Sequence, residues 1–455
     1  MRRSKSPRFR SHLLRKIKLG DAKTAVFGLG AVGLQVALAF AQASFTCIGI
    51  DVDSRKIDEI KLGRAAGHDK ETNRLLRSCL RKKKFFATST FSTENLDYII
   101  LCLPTPLNKE GKPDLSYLVD TCTMLSSNDL AEKCIILESS VYPGVTRNVV
   151  KPILERRGES AGVDFGLAHS PERIDPGNLR FTMQNIPKLV GGINVASTEV
   201  TAALYRATLK APVVKVSSPE IAEASKMLEN TYRFVNICFI NEIASLFETI
   251  GIDTFEVIRA AATKPFGFLP HFPGPGVGGH CIPKDPFYLA EVAEKVDMRL
   301  TIVEAAAKVD QVQPDRIVLR IEQALKSFER TIRGAQITVL GLAYKPNVSD
   351  MRRSPALRII EVLEQKGATV KAYDPLVLQA GTRTASIEQA DSLNEAIKGS
   401  DVVLLLTDHD VFRKLDLGRI RSLLASRAVL FDSRNVWDKS DAIRNGYLYL
   451  GIGKP

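Results

Sequence analysis

The stretch KTAVFGLGAVGLQVALAFA, Lys23–Ala41, decides the reading of this chain. An apolar, β-branched run is cut off by glycine and followed by a helical pattern with an apolar face, which is the order strand, tight turn, helix. Gly28, Leu29, Gly30, Ala31, Val32 and Gly33 give the spacing G-x-G-x-x-G. The first glycine permits the turn, the second lets a pyrophosphate approach the backbone, and the third lets the helix pack closely. The helix N-terminal amides then face the phosphates. Asp51 closes the next apolar run, FTCIGIDVD, 23 residues after Gly28. An acid there accepts hydrogen bonds from ribose hydroxyls and repels the extra phosphate of NADP, so the expected cofactor is NAD. Lys56, five residues beyond Asp51, is placed toward the adenosine side, with Arg55 beside it.

The alternation continues outward. LDYIILCLPTP and KCIILESSVYPG are short buried strands ending in polar, Pro- or Gly-bearing loops, and helical stretches separate them. That pattern predicts a doubly wound parallel sheet whose ligands lie beyond the carboxyl ends of the strands. From Pro219 the character changes: PEIAEASKMLENTYRFVNICFINEIASLFETIG holds no internal Pro or Gly before Gly251 and predicts one long helix. A second alternating unit follows in GAQITVLGLAYKP, ATVKAYDP, SDVVLLLTDHD and AVLFDSRN. The expected fold is α/β, two Rossmann-like doubly wound domains joined by a central helical domain with one long helix. The expected boundaries are a flexible basic tail over 1–20, a dinucleotide-binding domain over 21–215, a helical domain over 216–327 and a C-terminal domain over 328–455.

At 455 residues, 45% hydrophobic and 25% charged, the chain has the composition of a globular protein of several domains. Its net charge is +12, yet eight Lys or Arg and no acid fall in the first 20 residues, leaving about +4 elsewhere. The excess is a tail, with no apolar core of a secretory signal. RKKK, Arg81–Lys84, lacks the aromatic platform of a nucleic-acid site, so no nucleic-acid partner is expected. No long uncharged apolar run occurs, so no membrane insertion is expected. The seven cysteines are widely spaced and form no C-x-x-C pair, which argues against zinc, predicts no metal, and favours a reducing, cytoplasmic setting.

Six of those cysteines lie in apolar or mixed segments; the seventh, Cys281, stands in PGPGVGGHCIPKDP, Pro273–Pro286. Pro and Gly exclude helix and sheet there and shape a loop around one sulfur, so Cys281 reads as a nucleophile, with His280, Lys284 and Asp285 able to influence thiolate or water. The long helix carries Glu223, Lys226, Asn230 and Arg233 at spacings of three and four. This stripe is either a solvated face or a set in which the Lys226 ammonium holds a developing alkoxide. A hydride acceptor beside a nucleophilic thiol fits oxidation at the aldehyde level, through a thiohemiacetal and a thioester that water cleaves.

FGLGAVGL, CLPTPL with KPDLSYL, ESSVYPG, SPERIDPGN, AEASKMLENTYR, PGPGVGGHCIPKDP, GLAYKPNVSDMRRSP and YDP occur in one order over roughly residues 22–453. In these segments the chain resembles the UDP-glucose/GDP-mannose dehydrogenase family, whose members oxidise a sugar-nucleotide primary alcohol to the acid with two NAD. The resemblance implies Cys281 as the covalent nucleophile, Lys226 as the oxyanion-stabilising ammonium, Asn230 for sugar or water, Asp285 for proton transfer with water, and Glu172 as the base for thioester hydrolysis. It implies Thr105 and Ser140 beside the nicotinamide and Arg352 reaching NAD from the third domain. Arg173, Gly278, Lys345 and Arg434 are implied on the UDP-sugar. A homodimer or higher homo-oligomer through the central helix is implied too.

Three positions depart from the family pattern: Ser140 replaces threonine, Pro176 replaces a second glutamate, and Phe272 replaces lysine. SPERIDPGN and TKPFGFLPHFPGPGVGGHCIP resemble the branch acting on UDP-N-acetylhexosamines, UDP-N-acetylglucosamine before UDP-N-acetylmannosamine, with UDP-glucose further off. A single-step hydroxyacid dehydrogenase would leave Cys281 idle, and a non-catalytic NAD-binding scaffold would bind nucleotide without turnover.

Overall fold

The central apolar runs become strands because each is buried on both faces and its alternate residues feed two different cores. In the computed structural model, which describes residues 7–65, 70–175, 177–178, 180–379 and 387–455, Tyr98 and Ile100 enter one core while Ile99 and Leu101 enter the other. Pro176 and the first six residues of the basic tail lie outside the described residues. The chain divides into two compact units, residues 1–229 with 284–299, and residues 230–283 with 300–455.

The first unit is built on eight strands: β1 (Lys23–Phe27), β2 (Thr46–Ile50), β3 (Phe85–Thr88), β4 (Tyr98–Leu101), β5 (Cys134–Leu137), β6 (Gly166–His169), β7 (Lys188–Gly192) and β8 (Val213–Lys215). Their order is β3-β2-β1-β4-β5-β6-β7-β8. All neighbouring pairs are parallel except β6 and β7, which run antiparallel. The reversal of strand order beside β1 puts the ligand-binding crevice at the carboxyl ends of β1 and β4.

The basic tail is corrected over most of its length. Arg8–Leu19 is a helix whose Phe9 and Leu13 are fully buried, packed into the core formed with the helices Gly33–Gln42 and Val195–Thr208. Burying two such side chains stabilises by about 1.5–3 kcal/mol each. Arg10 pairs with Glu199 and His12 meets Asp97, so part of the charge is used internally. Charge density hid a helical period that this core could use.

The second unit carries β9 (Gln336–Leu340), β10 (Thr369–Tyr373), β11 (Glu388–Gln389), β12 (Val402–Leu405), β13 (Ala428–Asp432) and β14 (Tyr447–Gly451), all parallel, in the order β11-β10-β9-β12-β13-β14. The four expected strands are there, with two further edge strands. The long helix runs Pro219–Thr249 and stops before Gly251, whose φ is +77°. Residues Thr301–Lys326 form a second long helix. Among the described residues, no helix is long and apolar enough to cross a membrane.

Candidate active site

In the first unit the three glycines of the turn do three different things. Gly28 has φ +85°, and a Cβ there would lie 2.5 Å from the Cys102 carbonyl oxygen. A Cβ on Gly33 would lie 1.8 Å from the Gly28 carbonyl oxygen, so only glycine lets the helix start this close. A Cβ on Gly30 would meet nothing within 4 Å, which leaves room above the turn at Leu29, Gly30, Ala31 and Val32. Asp51 closes the geometry: its Oδ2 accepts from the Leu29 N–H at 2.8 Å and from Lys56 Nζ at 2.9 Å. Burial works against its charge, but the Lys56 ammonium and the Asp53 and Leu29 N–H groups outweigh burial and hold it below the usual carboxylate range. A tight turn with an open cradle and an ionised acid beside it fits a dinucleotide.

The loops after β4 and β5 meet through Thr105, whose Oγ1–H donates to the Ser140 carbonyl at 2.7 Å. Lys284, fully buried, donates to the Thr105 carbonyl at 2.6 Å, and the Tyr288 hydroxyl donates to the same oxygen. Asp285, also fully buried, opens the helix Asp285–Glu294 with Lys284 as its cap. Glu223 on the long helix accepts from the Gly144 N–H at 2.6 Å, the Thr146 N–H at 2.8 Å and the Thr146 hydroxyl at 2.6 Å. That joins the helix to the loop carrying Ser140. Burial pushes Glu223 up to about 7 against the pull of those donors. Lys226 is buried one turn on, and Asn230 is buried too, while Arg233 is exposed. The solvated-face reading of the stripe therefore holds only for Arg233.

Glu172 accepts from the N–H groups of Arg173 and Ile174 at 2.7 and 2.8 Å through Oε1, and from Lys188 Nζ at 3.1 Å through Oε2. The Arg173 side chain turns to Glu229 and to the Pro187 carbonyl. Sequence reasoning missed Lys188 and its second partner, Glu138. A lysine opening an apolar strand, KLVGG, was the available signal.

The second unit presents the cysteine loop. Three buried polar side chains on the two long helices hold it: Asn241 Oδ1 accepts from the Gly274 N–H at 2.8 Å, Gln313 donates to the Gly274 carbonyl at 2.9 Å, and Asp310 accepts from the Val277 N–H at 2.8 Å. None of the three was read from sequence. The glycines let the loop lie against its neighbours, since a Cβ on Gly278 would stand 2.8 Å from Pro355 Cδ and 2.9 Å from Tyr344 Cβ. A Cβ on Gly274 would stand 2.6 Å from a terminal nitrogen of Arg434, whose Nε donates to Asp408 at 3.0 Å. Half-buried Cys281 has its Sγ 3.7 Å from His280 Nδ1. Arg352 makes a forked pair with Asp350, which raises its affinity for the proton, and it lies within electrostatic range of the Cys281 sulfur. Half-buried Lys345 follows Tyr344 in the same turn.

Three family models cover most of the chain: the NAD binding domain of the UDP-glucose/GDP-mannose dehydrogenase family matches residues 22–209, its central domain 220–312 and its UDP binding domain 338–439. The chain belongs to the UDP-glucose/GDP-mannose dehydrogenase family. A UDP-N-acetyl-D-mannosamine dehydrogenase of Pyrococcus horikoshii is 32% identical over 433 residues, spanning 95% of this chain and 99% of that protein. A UDP-N-acetyl-D-glucosamine 6-dehydrogenase of Pseudomonas aeruginosa is 32% identical over 428 residues, 92% of this chain and 99% of that one. The solved structure of the Pyrococcus dehydrogenase superposes with a TM-score of 0.87 over 95% of this chain and 99% of its own. The enzyme is an NAD-dependent nucleotide-sugar dehydrogenase with an NAD binding domain and a UDP binding domain.

Proposed function

We propose that the enzyme oxidises C6 of a UDP-N-acetylhexosamine, UDP-N-acetylglucosamine in preference, from primary alcohol to carboxylate through a covalent intermediate on Cys281. The observation that carries the covalent part of this reading is the cysteine loop: six residues from Gly274 to Gly279 clamped by Asn241, Gln313 and Asp310, with His280 Nδ1 3.7 Å from the sulfur and Arg352 within electrostatic range of it. The Arg352 guanidinium in that range favours thiolate. NAD supplies the hydride acceptor for both oxidation steps.

The remaining roles are those that the resemblance to the family implies. The Cys281 thiolate adds to the C6 aldehyde, and the resulting thiohemiacetal loses hydride to become a thioester. Lys226, buried on the long helix, stabilises the oxyanion, and Asn230 orients sugar or water. Asp285 takes part in proton transfer with water, and Glu172 is the base for the attacking water. Thr105 and Ser140 line the nicotinamide side, Lys56 and Asp51 the adenosine side, and Arg352 reaches the cofactor. Lys345, Arg173, Gly278 and Arg434 hold the UDP-sugar. The seven free thiols support a cytoplasmic setting, and the uronic acid produced there is a building block for surface polysaccharide.

The mannosamine epimer is the second reading, favoured by the Pyrococcus relative. Assay of UDP-N-acetylglucosamine, UDP-N-acetylmannosamine, UDP-N-acetylgalactosamine and UDP-glucose with NAD separates them by kcat/KM. The wild type is expected to release two NADH per sugar, and Cys281→Ala to form no acid while staying folded. A Cys281→Ala enzyme that still yields two NADH per sugar would end the covalent reading.

A homodimer or larger assembly is supported by Tyr232, Phe239 and Leu246, spaced by seven along the long helix and exposed by 46%, 56% and 53%. Phe239→Asp is expected to lower the sedimenting mass; an unchanged assembly excludes this seam.

A further inference from the structure

Behind Glu172 lies a buried chain of charge: Glu138 opens the segment ESSVYPG, while Lys188 lies outside the segments that carry the family resemblance. β7 is antiparallel to β6, so its first residue, Lys188, stands at the rim where β5 and β6 end. Glu138 follows the last residue of β5. Lys188 is 4% exposed and Glu138 3%. Lys188 Nζ donates to Glu138 Oε2 at 2.8 Å, to Glu172 Oε2 at 3.1 Å and to the Pro171 carbonyl at 3.3 Å, which uses all three of its N–H groups. The Tyr205 hydroxyl donates to the other Glu138 oxygen. One ammonium thus serves two carboxylates, and the shorter bond goes to the one farther from solvent.

The surrounding groups leave this trio to settle its own charge. Burial, with the charge of Lys188, holds His169 neutral at about 3. Burial and the charge of Glu138 push the Cys102 thiol and the Tyr205 phenol well up, so both stay protonated. Arg173 is committed to Glu229. Burial pushes Glu138 up as well, with Lys188 opposing it, and both its oxygens accept hydrogen bonds as an ionised carboxylate would. Removing one partner from such a buried group exposes the others to uncompensated charge.

We propose that Lys188 and Glu138 are positioning residues for Glu172: Lys188 orients its carboxylate, and Glu138 competes for the same ammonium, so that Glu172 holds only a share of it while taking the proton of the attacking water. The inference rests on the assignment of Glu172 as the hydrolytic base. In that step the water oxygen bonds to the acyl carbon and its proton passes to Glu172. The carbon–sulfur bond breaks, and its electron pair returns to the Cys281 sulfur. A purely structural trio would act on stability alone; this one acts on the pH profile of acyl-enzyme cleavage, with opposite sign for its two partners.

The test follows cleavage of the acyl-enzyme, trapped by rapid quench and weighed by mass spectrometry, from pH 5.5 to 9 with UDP-N-acetylglucosamine or whichever sugar the panel selects. Glu138→Gln keeps an acceptor oxygen for Lys188, turns an amide NH2 toward the Tyr205 hydroxyl, which can accept it, and removes the competing charge. It is expected to move the acid limb of cleavage down by about one pH unit and to slow the plateau. Lys188→Met is expected to move the limb up by at least as much and to accumulate acyl-enzyme at pH 7, and Lys188→Arg to restore the wild-type limb. If Lys188→Met does not fold, Glu138→Gln decides alone. Variants that lose activity with the limb unmoved, or moved in the same direction, overturn the proposal. Glu172→Gln stands apart: if it cleaves acyl-enzyme at the wild-type rate, the base assignment itself falls, whatever the partners do.

Discussion

The two parallel sheets start with the same device and use it differently. After β1, Gly28 turns at positive φ and Asp51, past the end of β2, accepts from the Leu29 N–H. After β9, Gly341 turns at φ +90° and Asp374, past the end of β10, accepts from the N–H groups of Leu342 and Ala343 at 2.8 and 3.0 Å. From there they part. The first turn goes on to Gly30 and Gly33, and its acid keeps a lysine partner that is 38% exposed. The second goes on to Ala343 and Tyr344, and its acid is sealed by His409, whose Nε2 lies 3.0 Å from Asp374 Oδ2 while Nδ1 accepts from the Asn347 N–H. One strand-turn-acid unit is left open as a cradle. The other is locked to carry the loop that bears Lys345 and Arg352. A Rossmann topology by itself therefore says nothing about dinucleotide binding; the second and third glycines and the half-exposed lysine on the acid do.

The strongest way to break this comparison is to fill both turns. Gly33→Ala puts a methyl 1.8 Å from a backbone carbonyl, and Gly341→Ala puts one 2.5 Å from Thr407 Cβ at a left-handed φ. Gly33→Ala is expected to abolish NAD binding and to cost more than about 4 kcal/mol. Gly341→Ala is expected to cost about 3 kcal/mol and, acting only through the Arg352 loop, to weaken NAD far less than Gly33→Ala does. Titration calorimetry and denaturant melts read both, and loss of NAD binding in Gly341→Ala would erase the distinction.

The acids sharpen it. Asp374→Ala strands several backbone donors and His409, and is expected to cost about 3 kcal/mol of stability with little change in NAD affinity. Asp51→Ala is expected to do the reverse, weakening NAD about 10- to 100-fold with a smaller loss of stability. Equal effects on both readouts would mean the two acids share one role.

The smallest effect contrasts a buried acid in each unit. Burial raises Glu223 to about 7, whereas at Asp374 the His409 partner and the backbone donors outweigh burial and lower it. A raised carboxyl binds more protons folded than unfolded, so the Glu223 contribution is present below about 4.5 and lost as pH rises through about 7. The lowered Asp374 contributes above its ordinary value of 3.8 and loses that contribution in acid. Melting temperature is thus expected to fall between pH 5 and 8, and Glu223→Gln to flatten the fall. A slope unchanged in the variant would clear Glu223 of it.

Much of the fold was legible because its signals are local. The turn at Gly28, the acid at Asp51, the uninterrupted run from Pro219 and the Pro-Gly loop before Cys281 each declare themselves within a few residues. The helix Arg8–Leu19 did not, because its charge masked Phe9 and Leu13, whose partners lie far along the chain. The candidate site divides the same way. Its motif residues could be named, but not what holds them.

The two sheets, the long helix and the family are thus legible in the chain, since steric limits at glycine and the alternation of apolar side chains act over short stretches and need no partner to be read. Only the tertiary structure decided that Glu138 and Lys188 stand behind Glu172, that Glu223 ties the long helix to the Ser140 loop, and that Asn241, Gln313 and Asp310 clamp the cysteine loop. These are pairings of buried polar groups from separate elements. Desolvation makes each expensive alone and stable only with its partner, and no periodicity in the chain announces which partner that is.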